Sequence, residues 1–340
     1  MHNTADLSKY TDQITALPQE AFLGSLLYFS ILQADVKLVE AVNALQTLGL
    51  DTSTLPKNLR PVDAFRKASR DLGYKFDSDQ GVRSELLVRP VGEDHERAYR
   101  HLILERAQVA DGKRRRLSYD RVGQVIFHRG IKEGGEYLYH RVEVQRTTDH
   151  LVLSPAEDTY LTGALAVFSE NYEHYLTHLD SNAVRAFVRG YIYALSGTCV
   201  RETGGIYFVK QANIQTIGKL GEWVKSIGSQ FHSLPLLNLV DQRDMIMKAF
   251  EDETVEEVER LLGEVAAILK DPNRSIAERI YDQYADKVAE LNGKVAEYDA
   301  MLGSRAQRAT MEIAAFKLQV MQLAPRIRET RTFKAKSGVR

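Results

Sequence analysis

Tyr99-Arg-His-Leu-Ile-Leu-Glu105 and Gly123-Gln-Val-Ile-Phe-His-Arg129 decide how this chain is read. Both runs are short, rich in β-branched and aromatic residues, and bounded by charged or glycine-containing turns, so each predicts a strand. Glu85-Leu-Leu-Val-Arg-Pro90 before them and Glu136-Tyr-Leu-Tyr-His-Arg-Val-Glu-Val144 after them have the same character. The connections are too short for helical crossovers, which leaves an antiparallel meander of four strands.

On both sides of the meander the apolar period becomes helical. Upstream, Phe22, Leu26, Phe29, Leu32, Val36, Val39, Val42 and Leu45 predict one helix from Pro18 to about Leu48, stopped by Gly49. A short helix over Val62 to Leu72 follows the loop between Asp51 and Arg60. Downstream, Ser154-Pro155-Ala156-Glu157 is a capping box with proline in the first turn. It opens a helix towards Leu179, and a second runs from Asn182 to about Leu195. Val200 to Val209 predicts a hairpin turning at Gly204-Gly205, followed by a helix over Ile214 to Ile227 and an extended piece around Leu234 to Leu239.

Beyond residue 241 the apolar residues alternate three and four apart, as in Tyr284, Val288, Leu291, Val295 and Tyr298, or Ile313, Phe316, Val320 and Leu323. Such seams need a partner helix, from the same chain or another. Thr254…Glu257, Ser275…Glu278 and Ser304…Gln307 have the form of further capping boxes. The fold class is therefore α+β: an antiparallel meander flanked by helices, with a C-terminal helical hairpin or coiled coil. The predicted division is 1–80 (N-terminal helices), 81–240 (a central α+β domain), 241–330 (the helical hairpin) and 331–340 (a basic tail).

Composition narrows the function classes. Apolar residues make up 44% and charged residues 27% of 340, so a globular core is expected rather than disorder. Cys199 is the single cysteine, which excludes an internal disulfide framework and suits a reducing compartment. The start of the chain lacks a signal-peptide pattern, and the apolar stretch Ala21 to Leu32 is too short to span a bilayer. A cytoplasmic protein without a membrane partner is the expectation.

The net charge is −1, yet charge is segregated. Between Arg97 and Arg146 twelve basic residues face six acidic ones, interleaved with Tyr99, Tyr119, Phe127, Tyr137 and Tyr139. Cations neutralise phosphates and exposed aromatic rings stack on unpaired bases. The candidate nucleic-acid contacts are Lys113, Arg114, Arg115, Arg116, Arg121, Arg129, Tyr137, Tyr139, Arg141 and Arg146. A half-buried sheet of ordinary surface charge would carry the same residues. A second basic surplus runs from Arg326 to Arg340, where Glu329 is the single acid.

Other chemistries find less footing. His95, His101, His128 and His140 cluster in the meander near Glu105 and Glu143, without the paired spacing of a metal motif, so no metal ligands are assigned. Gly204-Gly205 lacks a phosphate-loop context, and no cofactor or catalytic residue is assigned. Glu105, Asp120 and Glu143 are the carboxylates that a nuclease reading would need. The segment Arg201-Glu-Thr-Gly-Gly-Ile-Tyr-Phe-Val209 resembles uncharacterised bacterial and phage proteins in which a helix-flanked hairpin precedes long helices; that resemblance implies no activity. The leading reading is a non-catalytic nucleic-acid-associated protein of bacterial or phage type that self-associates through its C-terminal helices. The alternatives are a protein–protein scaffold or assembly factor, and a phosphate-processing enzyme such as a nuclease.

Overall fold

The computed structural model describes residues 17–56, 59–77, 83–110, 114–130, 132–133, 136–137, 140–147, 153–201, 205–271 and 277–326. The fold is α+β and divides into two compact units that interleave along the chain. One is formed from Met1–Ala34, Thr47–Leu50 and Ser181–Arg340, the other from Asp35–Gln46 and Asp51–Asp180. This partition cuts the chain differently from the sequential division at residues 80 and 240. Among the described residues no helix is long and apolar enough to cross a membrane.

The stretch predicted as one helix over Pro18 to Leu48 is instead β1 (Phe22–Ser30), β2 (Asp35–Lys37) and α1 (Leu38–Thr47). The reason is tertiary. β1 is a central strand, antiparallel to two neighbours and apolar on both faces, so its pattern shows no alternation. Gly24 allows one of those neighbours in: a Cβ there would lie 2.1 Å from the carbonyl oxygen of Val209.

The second unit opens with α2 (Pro61–Asp71), which has proline in its first turn. Then come β3 (Tyr74–Asp77), β4 (Arg83–Glu93), β5 (Arg97–Ala110), β6 (Arg114–His128), the short pair β7 (Lys132–Glu133) and β8 (Glu136–Tyr137), and β9 (Arg141–Arg146). β3-β4-β5-β6-β9 is the expected antiparallel meander with an added edge strand. The single strand expected over Glu136 to Val144 is split between β8 and β9. α3 (Pro155–Thr177) starts at the predicted capping box, with Ser154 Oγ accepting from the Glu157 amide and Glu157 accepting from the Ser154 amide. α2 and α3 cover one sheet face, where Phe65, Leu86, Leu102, Val125, Phe127 and Phe168 form the core. β10 (His178–Asp180) then pairs with β2 as a separate ribbon.

The first unit continues with α4 (Ser181–Ala194), β11 (Thr198–Arg201), β12 (Ile206–Lys210), α5 (Ile214–Ser226), β13 (Gln230–Leu237), α6 (Val240–Lys270), α7 (Glu278–Leu302) and α8 (Gln307–Met321). The predicted hairpin is β11–β12, and Gly205 at φ 61° supplies its left-handed turn; Gly204 lies outside the described residues. In the sheet β11-β12-β1-β13, Phe208 and Leu236 face α6, α7 and α8. On the other face Phe231 packs beside Gly221 of α5, and Tyr207 meets Tyr193 of α4.

The C-terminal seams are filled within the chain. Val288, Leu291, Val295 and Tyr298 of α7 and Ile313, Phe316 and Val320 of α8 share one core with Phe250, Val258 and Val265 of α6. Two capping boxes do not form. Thr254 is a buried residue inside α6, and α8 is capped at Ala306, whose amide donates to Asp299 Oδ1 at 2.7 Å in place of a Ser304 cap. Ser275 lies outside the described residues. Gly303, at φ 68°, ends α7 as a left-handed cap.

Candidate nucleic-acid interface

Register in the five-stranded sheet decides which arginines meet solvent. Residues directly opposite across strands share a face, and neighbours along a strand alternate. Ala98, Leu102 and Leu104 of β5 point to the helices, so Arg100 and Arg106 point there too. Arg97, Tyr99, His101, Ile103 and Glu105 take the other face, joined by Arg89 of β4, by Tyr119, Arg121, Gln124 and His128 of β6, and by Arg141, Glu143 and Gln145 of β9.

On the helix-covered face Arg106, Arg146 and Arg129 are paired with carboxylates, while Arg100 donates to the Tyr99 carbonyl oxygen at 3.2 Å. Arg106 Nε and Nη2 donate to the two Glu157 carboxylate oxygens at 2.6 and 3.0 Å, and Nη1 to Asp120. Glu157 is only 4% exposed. Burial opposes its ionised form, but the Arg106 and Ser154 hydrogen bonds hold its carboxyl below the ordinary glutamate range. Arg146 is held by Asp158 and by Thr162 Oγ1 at 3.2 Å. Arg129, with its side chain 18% exposed, is bound to Glu93.

On the other face the described side chains, Ile126 excepted, are exposed or half-buried. Among the described side chains this face carries Lys75, Arg83, Arg89, Arg97, Arg121 and Arg141 against Glu85, Glu105 and Glu143. Arg121 Nη2 donates to Gln124 Oε1 at 2.7 Å, Gln124 donates to Gln145, Gln145 Nε2 donates to Glu143 Oε1 at 2.6 Å, and Glu143 Oε2 lies 2.9 Å from His128 Nε2. This chain of polar groups fixes the side chains of three adjoining rows. Tyr119 is 56% exposed, and the Arg97 guanidinium lies 5.7 Å from the Tyr99 ring centre. Partial burial and then the nearby Arg121 charge push the His101 imidazole below its ordinary value, which keeps it neutral at neutral pH.

Of the contacts expected from sequence, Arg121 and Arg141 share the open face, with Arg121 seven positions along β6 from His128, the partner of Arg141. Arg129 and Arg146 instead pair with Glu93 and Asp158. Arg114, Arg115 and Arg116 continue the β5–β6 hairpin beyond the sheet as backbone partners of Ala110, Val109 and Gln108. Their side chains and that of Tyr137, like Lys113 and Tyr139 altogether, lie outside the described residues. Arg89, Arg97, Tyr99, Tyr119 and the two glutamines were not among the expected contacts. Alternation from Leu102 along β5 gives Arg97 and Tyr99, but the irregularity in the β5–β6 pairing beside Leu102 shifts the faces of β6, so Tyr119 follows from the register alone. Glu105, Asp120 and Glu143 do not converge: Asp120 and Glu143 sit opposite Leu104 and Ile126, with Asp120 and Ile126 six positions apart on β6. That is roughly 20 Å along the strand.

A family model described as "Family of unknown function (DUF6744)" matches residues 22–329. No curated protein and no solved structure matches the chain.

Proposed function

The chain belongs to this family of unknown function, and we propose that it is a non-catalytic protein that binds single-stranded nucleic acid on the open face of its five-stranded sheet. The observation that carries the reading is that face itself: a cation surplus with Tyr99, His101 and Tyr119 among the arginines. Phosphates would lie on Arg89, Arg121 and Arg141, and unpaired bases on the rings. Five strands at ~4.8 Å spacing span roughly 20 Å, wider than the ~12 Å major groove, so the surface suits an open strand better than a duplex. The single cysteine is in keeping with a cytoplasmic setting.

Fluorescence anisotropy with labelled DNA and RNA oligonucleotides at two salt concentrations tests this. The triple variant Arg89→Ala, Arg121→Ala, Arg141→Ala is expected to weaken binding and flatten its salt dependence. Tyr119→Ala is expected to weaken single strands selectively, by roughly 1–3 kcal/mol. No binding at low salt by the folded protein would sink the reading.

One observation favours self-association as a second property. α8 buries Ile313, Phe316 and Val320 inside the chain, yet exposes Met311, Ala314, Leu318 and Met321 on its outer side, again three and four apart. This outer seam, rather than the inner ones, would meet a second copy. Sedimentation of wild type against Leu318→Glu measures it; a monomeric wild type would remove the property.

A further inference from the structure

The ribbon of β2 and β10 places Lys37 opposite His178 and Asp35 opposite Asp180. His174 lies one helical turn before His178, in the last turn of α3, so the two imidazoles share a side. Their rings are parallel, with centres 4.0 Å apart and planes inclined by 15°. Asp35 Oδ1 lies 2.8 Å from His174 Nε2. His178 Nδ1 is 2.9 Å from Thr177 Oγ1 and 3.2 Å from the His174 carbonyl oxygen. With the proton on Nδ1 donated to that carbonyl, His178 Nε2 keeps its lone pair. A ligating histidine is usually oriented this way, through its second nitrogen.

We propose that Asp35, His174 and His178 form a binding site for a divalent transition-metal ion of the zinc type. One donor atom from each residue lies within 4.8 Å of the others. A tetrahedral ion with bonds of ~2.0–2.2 Å needs its donors roughly 3–3.5 Å apart, a contraction that side-chain torsions supply. Two imidazoles and one carboxylate suit Zn²⁺, Co²⁺ or Ni²⁺, whereas Mg²⁺ and Ca²⁺ prefer oxygen-only sets. The neighbouring charges already have partners: Lys37 lies 3.9 Å from Glu40, and Lys67 pairs with Asp180. Asp35 is exposed and both histidines are half-buried, so the ion would exchange with solution and keep an open coordination position. It would clamp β2 to the end of α3, the two segments by which the chain enters the second unit at Asp35 and leaves it at Asp180.

The test uses the full chain stripped with a chelator and titrated with Zn²⁺ by calorimetry, with Co²⁺ absorption as a reading of ligand type. One Zn²⁺ per chain is expected, together with a higher melting temperature on loading. His174→Gln and His178→Gln should each weaken binding roughly tenfold or more. The control His101→Gln, His128→Gln should leave it intact. Circular dichroism confirms folding; should His174→Gln unfold, His178→Gln and Asp35→Asn, at a ribbon surface, carry the comparison. No micromolar Zn²⁺ binding by the wild type, or unchanged binding in the folded His178 or Asp35 variants, would overturn the site and leave an Asp35–His174 ion pair.

Discussion

The two sheets of this protein differ in how many of their faces are covered. The four-stranded sheet lies between α4 and α5 on one side and α6, α7 and α8 on the other. The five-stranded sheet has α2 and α3 on one side, while on the other its described side chains are mostly exposed or half-buried. Covering both faces removes water from most of a central strand, so β1 and β12 are largely apolar, with Tyr28 and Ser30 exposed at the end of β1. Covering one face halves that demand and leaves alternate positions free for charge. The first sheet therefore holds the fold, and the second has a surface available for chemistry.

Core truncation in the doubly covered sheet gives the largest expected effect. Phe208→Ala removes a fully buried ring between β1 and α6–α8, and should cost about 3–5 kcal/mol in urea denaturation. A much smaller loss would mean that this sheet is less tightly enclosed than its sister's covered face.

The two faces of the five-stranded sheet provide the next test. Arg106→Ala leaves the buried Glu157 without its cation, which should cost about 3–5 kcal/mol. Arg121→Ala, on the open face, should change stability by about 0.5 kcal/mol or less. Equal effects on denaturation would abolish the distinction between the faces. Between these extremes, Gly205→Val forces a β-branched residue to φ 61° in the β11–β12 turn. It should destabilise by roughly 1–2 kcal/mol, read by the same denaturation curves.

Acid should separate the units by sign. In the second unit Glu157 is held below the ordinary glutamate value, so its stabilisation is present above the unfolded-state pKa and lost as pH falls through the folded one. In the first unit burial raises Glu253, against the opposing effects of Lys294, the Cys199 amide and Tyr193. Its contribution is favourable below the unfolded-state pKa and is lost as pH rises through the folded value. Glu157→Gln should therefore cost most at neutral pH and progressively less on acidification. Glu253→Gln should instead flatten the stability loss on going from acid to neutral pH. Denaturation of each variant across a pH series checks both signs.

The same contrast explains which elements were legible. The strands of the one-sided sheet alternate, and four of them can be read directly. β1 and β2 cannot, because an apolar run such as Phe22–Ser30 satisfies helical spacing as well as it satisfies a strand enclosed on both faces. The candidate interface was legible as a zone and not as a set of side chains. Arg121 and Arg141 lie on the open face, whereas Arg129 and Arg146 pair with Glu93 and Asp158. His174 and His178 carry a one-turn spacing that the sequence displays, but their carboxylate partner Asp35 lies far away along the chain.

The sequence by itself determined the local events: the Ser154–Glu157 capping box, the left-handed turn at Gly205 and the alternating strands between Glu85 and Arg129. Each depends on residues within a few positions of one another, so the backbone chemistry there has one good solution. Tertiary structure alone decided that Phe22–Ser30 is a strand, that the heptad seams of α7 and α8 close on α6, and that the arginines sort by face. Those outcomes turn on which distant surface excludes water or supplies a counter-charge, and burial and ion pairing are set by neighbours in space, not in sequence.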